Sequence, residues 1–241
     1  MPQVLAVGRF LAPANRYFPD LFAPIEADDL VEAITAEVRD GASWIKIVAD
    51  FPYVEDGAPT APAAASYAFE VITAAVATAH ALGARVAAHT TTSTVSDLVR
   101  AGVDSVEHGD ALTTENLEEL GARGGAWTPT LSSTFPGRTT IRDDERDYAE
   151  RMSALLPVAL RTGVTVLAGS DITGTVPAEI GWLHRLGLTI EQALDAAGAS
   201  ARTYLHAPDQ DSIVTYRTDP RSDPDALTHP AAVVVRGVRV D

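Results

Sequence analysis

The sequence predicts an α/β protein built on a parallel sheet. Three observations carry that prediction. Short apolar runs of strand length alternate with helix-length amphipathic segments. Glycines such as Gly41 and Gly83 close the helical segments. Ionisable residues gather at or near the C-terminal ends of successive predicted strands. Two architectures satisfy this alternation: an open doubly wound sheet and a (β/α) barrel. Neither G-x-G-x-x-G nor G-x-x-x-x-G-K-[ST] follows any strand, so the nucleotide-binding forms of the open sheet have no support.

VLAVGRF (4–10) reads as the first strand. Residues 27–40 read as a helix with Leu30, Val31, Ile34 and Val38 on one face. SWIKIV (43–48) is the next strand, and period-two alternation puts Trp44, Lys46 and Val48 on one side of it. An Ala-rich helix over 64–82 follows, then the strand RVAAH (85–89), a helix over 94–101 and the strand DSVEH (104–108). A helix at 114–123, the strand AWTPTL (126–131) and a long helix at 143–162 come next. VTVLAGSD (164–171) is again a strand, followed by helices at 177–186, 189–197 and 199–205. DSIVTY (211–216) and AAVVVRGVRV (231–240) read as strands, and TDPRSDPD (218–225) as a loop. A composition shift near 207–210 divides the chain into 1–207 and 208–241.

With 241 residues, 46% of them hydrophobic and 21% charged, a sizeable core is available. No run approaches the ~20 apolar residues of a membrane span. MPQVLAVGRFLAP has neither the basic start nor the small-residue cleavage site of a signal peptide, so a cytoplasmic location is the expectation. No cysteine is present, which excludes disulfides and thiolate metal sites. A net charge of −15 argues against nucleic-acid and anionic-membrane partners.

One residue stands out against this composition. Of the 18 basic residues, 17 are arginine, and the single lysine is Lys46, inside an apolar run. Lys46 lies within its strand, while His89, His108 and Asp171 end three others. On a (β/α) barrel, strand C-termini form the catalytic face. Imidazole and carboxylate there can hold Zn or a similar divalent metal, and a carboxylate can accept a proton from bound water. An ammonium has no lone pair. A neutral lysine amine, however, can react with carbon dioxide to give a carbamate, an oxygen ligand that arginine cannot form. Each residue also has a plainer reading: a hydrogen-bonded histidine, a lysine paired with a buried acid, an aspartate capping a turn. His80, His184, His206 and His229 are taken as structural.

IKIVADF, ARVAAHTTT, AGVDSVEHGDALT, AWTPTL and VTVLAGSDITG resemble the barrel core of the metal-dependent amidohydrolase superfamily, with its imidazolonepropionase-like and prolidase-like branch as the nearest match. The tail DPRSDPDALTHPAAVVVRGVRV is similar to that family's C-terminal segment. The resemblance implies a distorted (β/α)8 barrel with one or two divalent metals, Zn foremost and Fe, Mn or Co as alternatives. Lys46 matches the family's often carboxylated lysine. His89 and His108 match two histidine ligands, and Asp171 matches the aspartate that binds metal and accepts the proton of the attacking water. The implied activity is hydrolysis of an amide or other non-peptide C–N bond in a small-molecule substrate, with prolidase-like dipeptide cleavage included.

One departure is large. The family's first strand ends in a His-x-His pair, and this sequence contains no His-x-His. The expectation is therefore an incomplete TIM-like barrel with about six of its eight strands over 1–207. Residues 208–241 would supply the C-terminal strands of a small β-sandwich. A fragment of a working hydrolase, or one with a mis-set start, is the first reading. An alternative is a non-catalytic shortened relative that holds at most one metal or a small ligand, or closes its sheet by forming a homo-oligomer. An unrelated α/β binding module is the third.

Overall fold

The computed structural model describes residues 5–18, 23–207 and 212–240. The chain divides into two compact units. One is built from Ala6–Pro129 and Val158–Val166, the other mainly from Thr130–Pro157 and Leu167 onward.

The first unit carries a six-stranded parallel sheet: β1 (Phe10–Leu11), β2 (Trp44–Val48), β3 (Arg85–Thr90), β4 (Ser105–His108), β5 (Ala126–Thr128) and β6 (Thr165–Val166). The strands lie in chain order, each bonded to its sequence neighbours. A doubly wound sheet reverses its order at a switch point, and this one does not. It is a wall of the barrel type. Helices α1 (Leu30–Arg39), α2 (Phe69–Ala81), α3 (Val95–Ala101) and α4 (Thr114–Ala122) occupy the first four crossovers.

The register decides which side chains share a face. Lys46 pairs with Ala87, and Val48 with His89. His89 in turn pairs with Glu107. The opposite face is apolar: Ile45, Ile47, Val86, Ala88 and Val106 are fully buried. Burial of each large aliphatic side chain contributes roughly 1.5–3 kcal/mol, which anchors the wall and leaves its other face available for polar groups.

Several expected elements are shorter than their apolar runs. Of VLAVGRF, whose Val4 lies outside the described residues, only Phe10 joins the sheet, followed by Leu11. Gly8 has φ 73°, and the Arg9 backbone N–H donates to Glu37 Oε2 at 3.1 Å, so this backbone is tied to α1 instead. For the same reason Glu37 is buried on α1 while Val31, expected inside, is exposed. The Ala-rich helix begins at Phe69, because Ala64–Ala65 pairs with Asp50–Phe51 in a small antiparallel ladder. Strand β5 stops at Thr128. Pro129 lacks an N–H, and Thr130 turns left-handed at φ 53°.

Close packing constrains Gly121 on α4, where an added Cβ would lie 2.1 Å from the Thr162 carbonyl oxygen. That neighbour is backbone and cannot rotate away. Gly121→Ala is expected to destabilise the protein by about 1–3 kcal/mol. A lower urea midpoint at unchanged m-value would show it.

The second unit contains α5 (Leu131–Thr134), the first turns of α6 (Arg146–Arg161), α7 (Val176–Arg185), α8 (Ile190–Ala197) and α9 (Ala199–Tyr204). Capping boxes start α4, with Thr113 and Asn116, and α8, with Thr189 and Gln192. The run VTVLAGSD leaves the sheet after Val166, and the Ala168 N–H bonds to Ala196 O at 3.1 Å. In the tail, β7 (Ile213–Thr215), β8 (Ala232–Val235) and β9 (Val238–Arg239) form an antiparallel sheet. The single strand expected over 231–240 is a hairpin, because Arg236 (φ 51°) and Gly237 (φ 75°) are both left-handed, as a two-residue turn of this kind requires. Asp211, the first residue of the expected strand 211–216, lies outside the described residues, and the loop 218–225 runs into a 3₁₀ turn at Pro224–Thr228. No helix among the described residues is long and apolar enough to cross a membrane.

Candidate functional site

Three of the four singled-out residues meet on adjacent strands of the first unit. Lys46 on β2 places Nζ 3.9 Å from Glu107 Oε2 on β4, with both side chains mostly buried. An ammonium there needs a counter-charge, and Glu107 supplies it. Glu107 is itself held by Ser105 Oγ at 2.7 Å and, more weakly, by Thr128 Oγ1 at 3.4 Å.

His89 and His108 stack edge to face, with ring centroids 4.4 Å apart. Pleat alternation alone would put His108 on the face opposite Glu107, away from His89. The backbone prevents this. His108 is left-handed (φ 64°), and so is Gly109 (φ 69°), which turns the chain and brings the imidazole back beside His89. Trp127 Nε1 donates to His108 O at 2.7 Å and secures that turn. An added Cβ at Gly109 would lie 2.9 Å from Trp127 Nε1 and 2.7 Å from Leu112 Cδ1, so the Glu-His-Gly motif needs its glycine for space as well as for backbone angle.

The loop after His89 is pinned by Asp50, a fully buried carboxylate. Asp50 accepts from the Thr91 N–H at 2.8 Å, from Thr92 Oγ1 at 2.9 Å and from Thr90 Oγ1. Burial, the neighbouring His108 and the Lys46 charge together lower the His89 pKa to about 2. His89 is therefore neutral, the form in which an imidazole can ligate. Aromatic rings border it: Phe51 at 5.5 Å and Tyr17 at 6.2 Å between centroids.

Asp171 belongs to the second unit. It is exposed and left-handed (φ 48°), and Ser133 Oγ donates to its Oδ2 at 3.4 Å. Ser133 also bonds Thr173 Oγ1 at 2.8 Å. A backbone angle of this kind at a non-glycine residue is costly and is concentrated at functional positions.

Among the described residues no group of three or more His, Cys, Asp or Glu side chains is placed to hold a metal ion. Two imidazoles are nonetheless adjacent, and Lys46 shares the same face. This donor set fits a divalent cation only if the lysine becomes an oxygen donor. Of the histidines read as structural, His80 Nε2 lies 2.8 Å from Asp104 Oδ2 and His184 Nδ1 lies 2.9 Å from Leu188 O.

Glu107, Asp50 and the aromatic border were not singled out from the sequence. Period-two spacing could have found two of them, since Asp50 follows Lys46 and Val48 on one face and Glu107 follows Ser105.

This fold is shared by solved structures of a dipeptidase and an amidohydrolase. The structure superposes on an Xaa-Pro dipeptidase with bound methionine at a TM-score of 0.75 and 19% identity, covering 98% of this chain and 68% of that one. An amidohydrolase structure gives a TM-score of 0.72 at 20% identity, covering 99% and 67%. No protein-family profile matches the sequence. Over 260 residues the chain is 34% identical to the uncharacterized protein Rv2915c of Mycobacterium tuberculosis, covering 98% of this chain and 69% of the relative. It belongs to the family of that protein, which includes the uncharacterized protein Mb2939c of Mycobacterium bovis at the same identity.

Proposed function

We propose that this chain is a metal-dependent hydrolase of the amidohydrolase type, cleaving an amide or other non-peptide C–N bond of a small-molecule substrate, dipeptides of the prolidase kind included. The observation that carries the reading is the convergence of Lys46, His89 and His108 at three adjacent parallel strands. The likeness in fold to a dipeptidase and an amidohydrolase supports it.

His89 and His108 would hold the cation, Zn first and Fe, Mn or Co as alternatives. Lys46 would join them as a carbamate: the neutral amine nitrogen bonds the carbon of CO2 and a proton is released. That carbamate is an anion beside Glu107, and a divalent cation is the counter-charge that offsets both. A bound cation supplies polarisation of the scissile carbonyl and a more acidic water. For Asp171, in the other unit, the proposed role is that of a proton acceptor.

Metal analysis of the purified chain tests the proposal. One or two Zn ions per chain are expected after equilibration and dialysis, falling to near zero in the His89→Ala/His108→Ala double variant. Asp171→Asn is expected to lower hydrolysis at least ~100-fold. A second reading, a non-catalytic relative, is favoured by the Lys46–Glu107 pair, which satisfies the ammonium without a metal. It requires at most one ion per chain and no hydrolysis that Asp171→Asn removes.

A further inference from the structure

Aromatic residues make up only 6% of the sequence, yet three of its six phenylalanines, Phe10, Phe18 and Phe51, gather with Tyr17 in one cluster. Tyr17 is the buried hub, 5.3 Å from Phe10, 5.1 Å from Phe51 and 5.2 Å from Phe18 between centroids. From Phe18 the rings form an unbroken series. Phe18 meets Phe51 at 5.4 Å, Phe51 meets His89 at 5.5 Å, and His89 meets His108 at 4.4 Å. All of these belong to the sheet-bearing unit.

Exposure changes along the series. Tyr17 is buried, Phe51 is half-buried, and Phe18 is 46% exposed. Here the aromatic surface runs outward from the two imidazoles and stays open at its far end. Its inner end touches His89, one of the two proposed ligands.

We infer that Phe18 and Phe51 form a subsite for a flat apolar group of the substrate, an aromatic acyl or side-chain group next to the C–N bond that is cleaved. The inference rests on the proposed function for its place at the reacting bond, though binding at the subsite does not require turnover. Ring-on-ring packing favours an aromatic group over a small one by more than the area it covers. Phe18 acts as the specificity-determining residue because it is the exposed ring. Phe51 supports it from below, and its carbonyl oxygen is held by Arg16 Nη1 at 2.9 Å.

Binding of N-acetyl-L-phenylalanine and N-acetyl-L-alanine to the full chain, followed by NMR titration, tests this. Both probes carry the same amide and carboxylate, so their ratio isolates the ring. The phenylalanine probe is expected to bind at least ~10-fold more tightly. Phe18→Ala, at an exposed position, is expected to bring the two within ~2-fold, and Phe18→Tyr to keep the preference. Equal affinities in the unmodified chain, binding of neither probe, or a ratio that Phe18→Ala leaves unchanged would overturn the inference. A preference in a chain that takes up no metal on equilibration would leave the subsite standing and remove the metal reading. Bound metal without a preference would do the reverse.

Discussion

If Lys46 carries the proposed carbamate, replacing it by arginine is expected to abolish that group and lower both metal affinity and hydrolysis at least ~100-fold, while leaving the fold intact. The argument separates charge from chemistry. Arginine keeps a cation opposite Glu107, where Lys46 Nζ now stands 3.9 Å from Oε2. Guanidinium stays protonated and cannot attack carbon dioxide. A merely structural ion pair keeps its opposite charges in the exchange and has no metal or activity to lose. A lysine serving as a ligand precursor would lose both. Three measurements distinguish these outcomes: bound Zn per chain, kcat/KM, and the carbamate resonance in ¹³C NMR after equilibration with labelled bicarbonate. Retention of all three in Lys46→Arg would remove the carbamate from the mechanism.

Removal of Glu179 is expected to have the largest effect on stability. This carboxyl on α7 is fully buried, and its two oxygens accept from the Leu131 N–H at 3.1 Å and the Ser132 N–H at 2.6 Å. Those donors open α5 and have no carbonyl of their own helix to bond. Glu179→Ala leaves them buried without an acceptor and opens a cavity, so a loss of about 2–4 kcal/mol is expected from chemical denaturation. The same residue gives stability a pH dependence. Burial raises the Glu179 pKa from an ordinary 4.5 to about 7, against the lowering influence of these backbone hydrogen bonds. The folded state therefore binds the proton more tightly than the unfolded one. The contribution is full below pH 4.5 and fades as pH rises toward 7. Glu179→Gln does not titrate. Between pH 4.5 and 8 the stability of the unmodified chain should fall relative to this variant by about 3 kcal/mol.

Much of the site was legible because parallel strands place residues by simple rules. Alternation put Trp44, Lys46 and Val48 on one face, and the observed register places Ala87 and His89 on that same face. The same rule fails at His108, whose left-handed backbone returns its ring to His89. The signal for that turn was the glycine at 109, which tolerates the close approach of Trp127. Asp171 was read as the end of a strand that in fact stops at Val166. Its left-handed backbone and its bond from Ser133 depend on residues far away in sequence.

The sequence by itself determined the alternation of strands and helices, the apolar face of each central strand and the identity of the chemical groups. These follow from local periodicity and composition, which act over a few residues. Only the tertiary structure decided where strands end, which face His108 joins, that Glu107 answers Lys46, and that Asp50 pins the loop beyond His89. Those outcomes depend on which backbone donors and charges find partners far away in sequence, as with Thr91 and Asp50 or Ser132 and Glu179. A buried polar group must be satisfied wherever the folded chain brings an acceptor, and that demand overrides the pattern of any single segment.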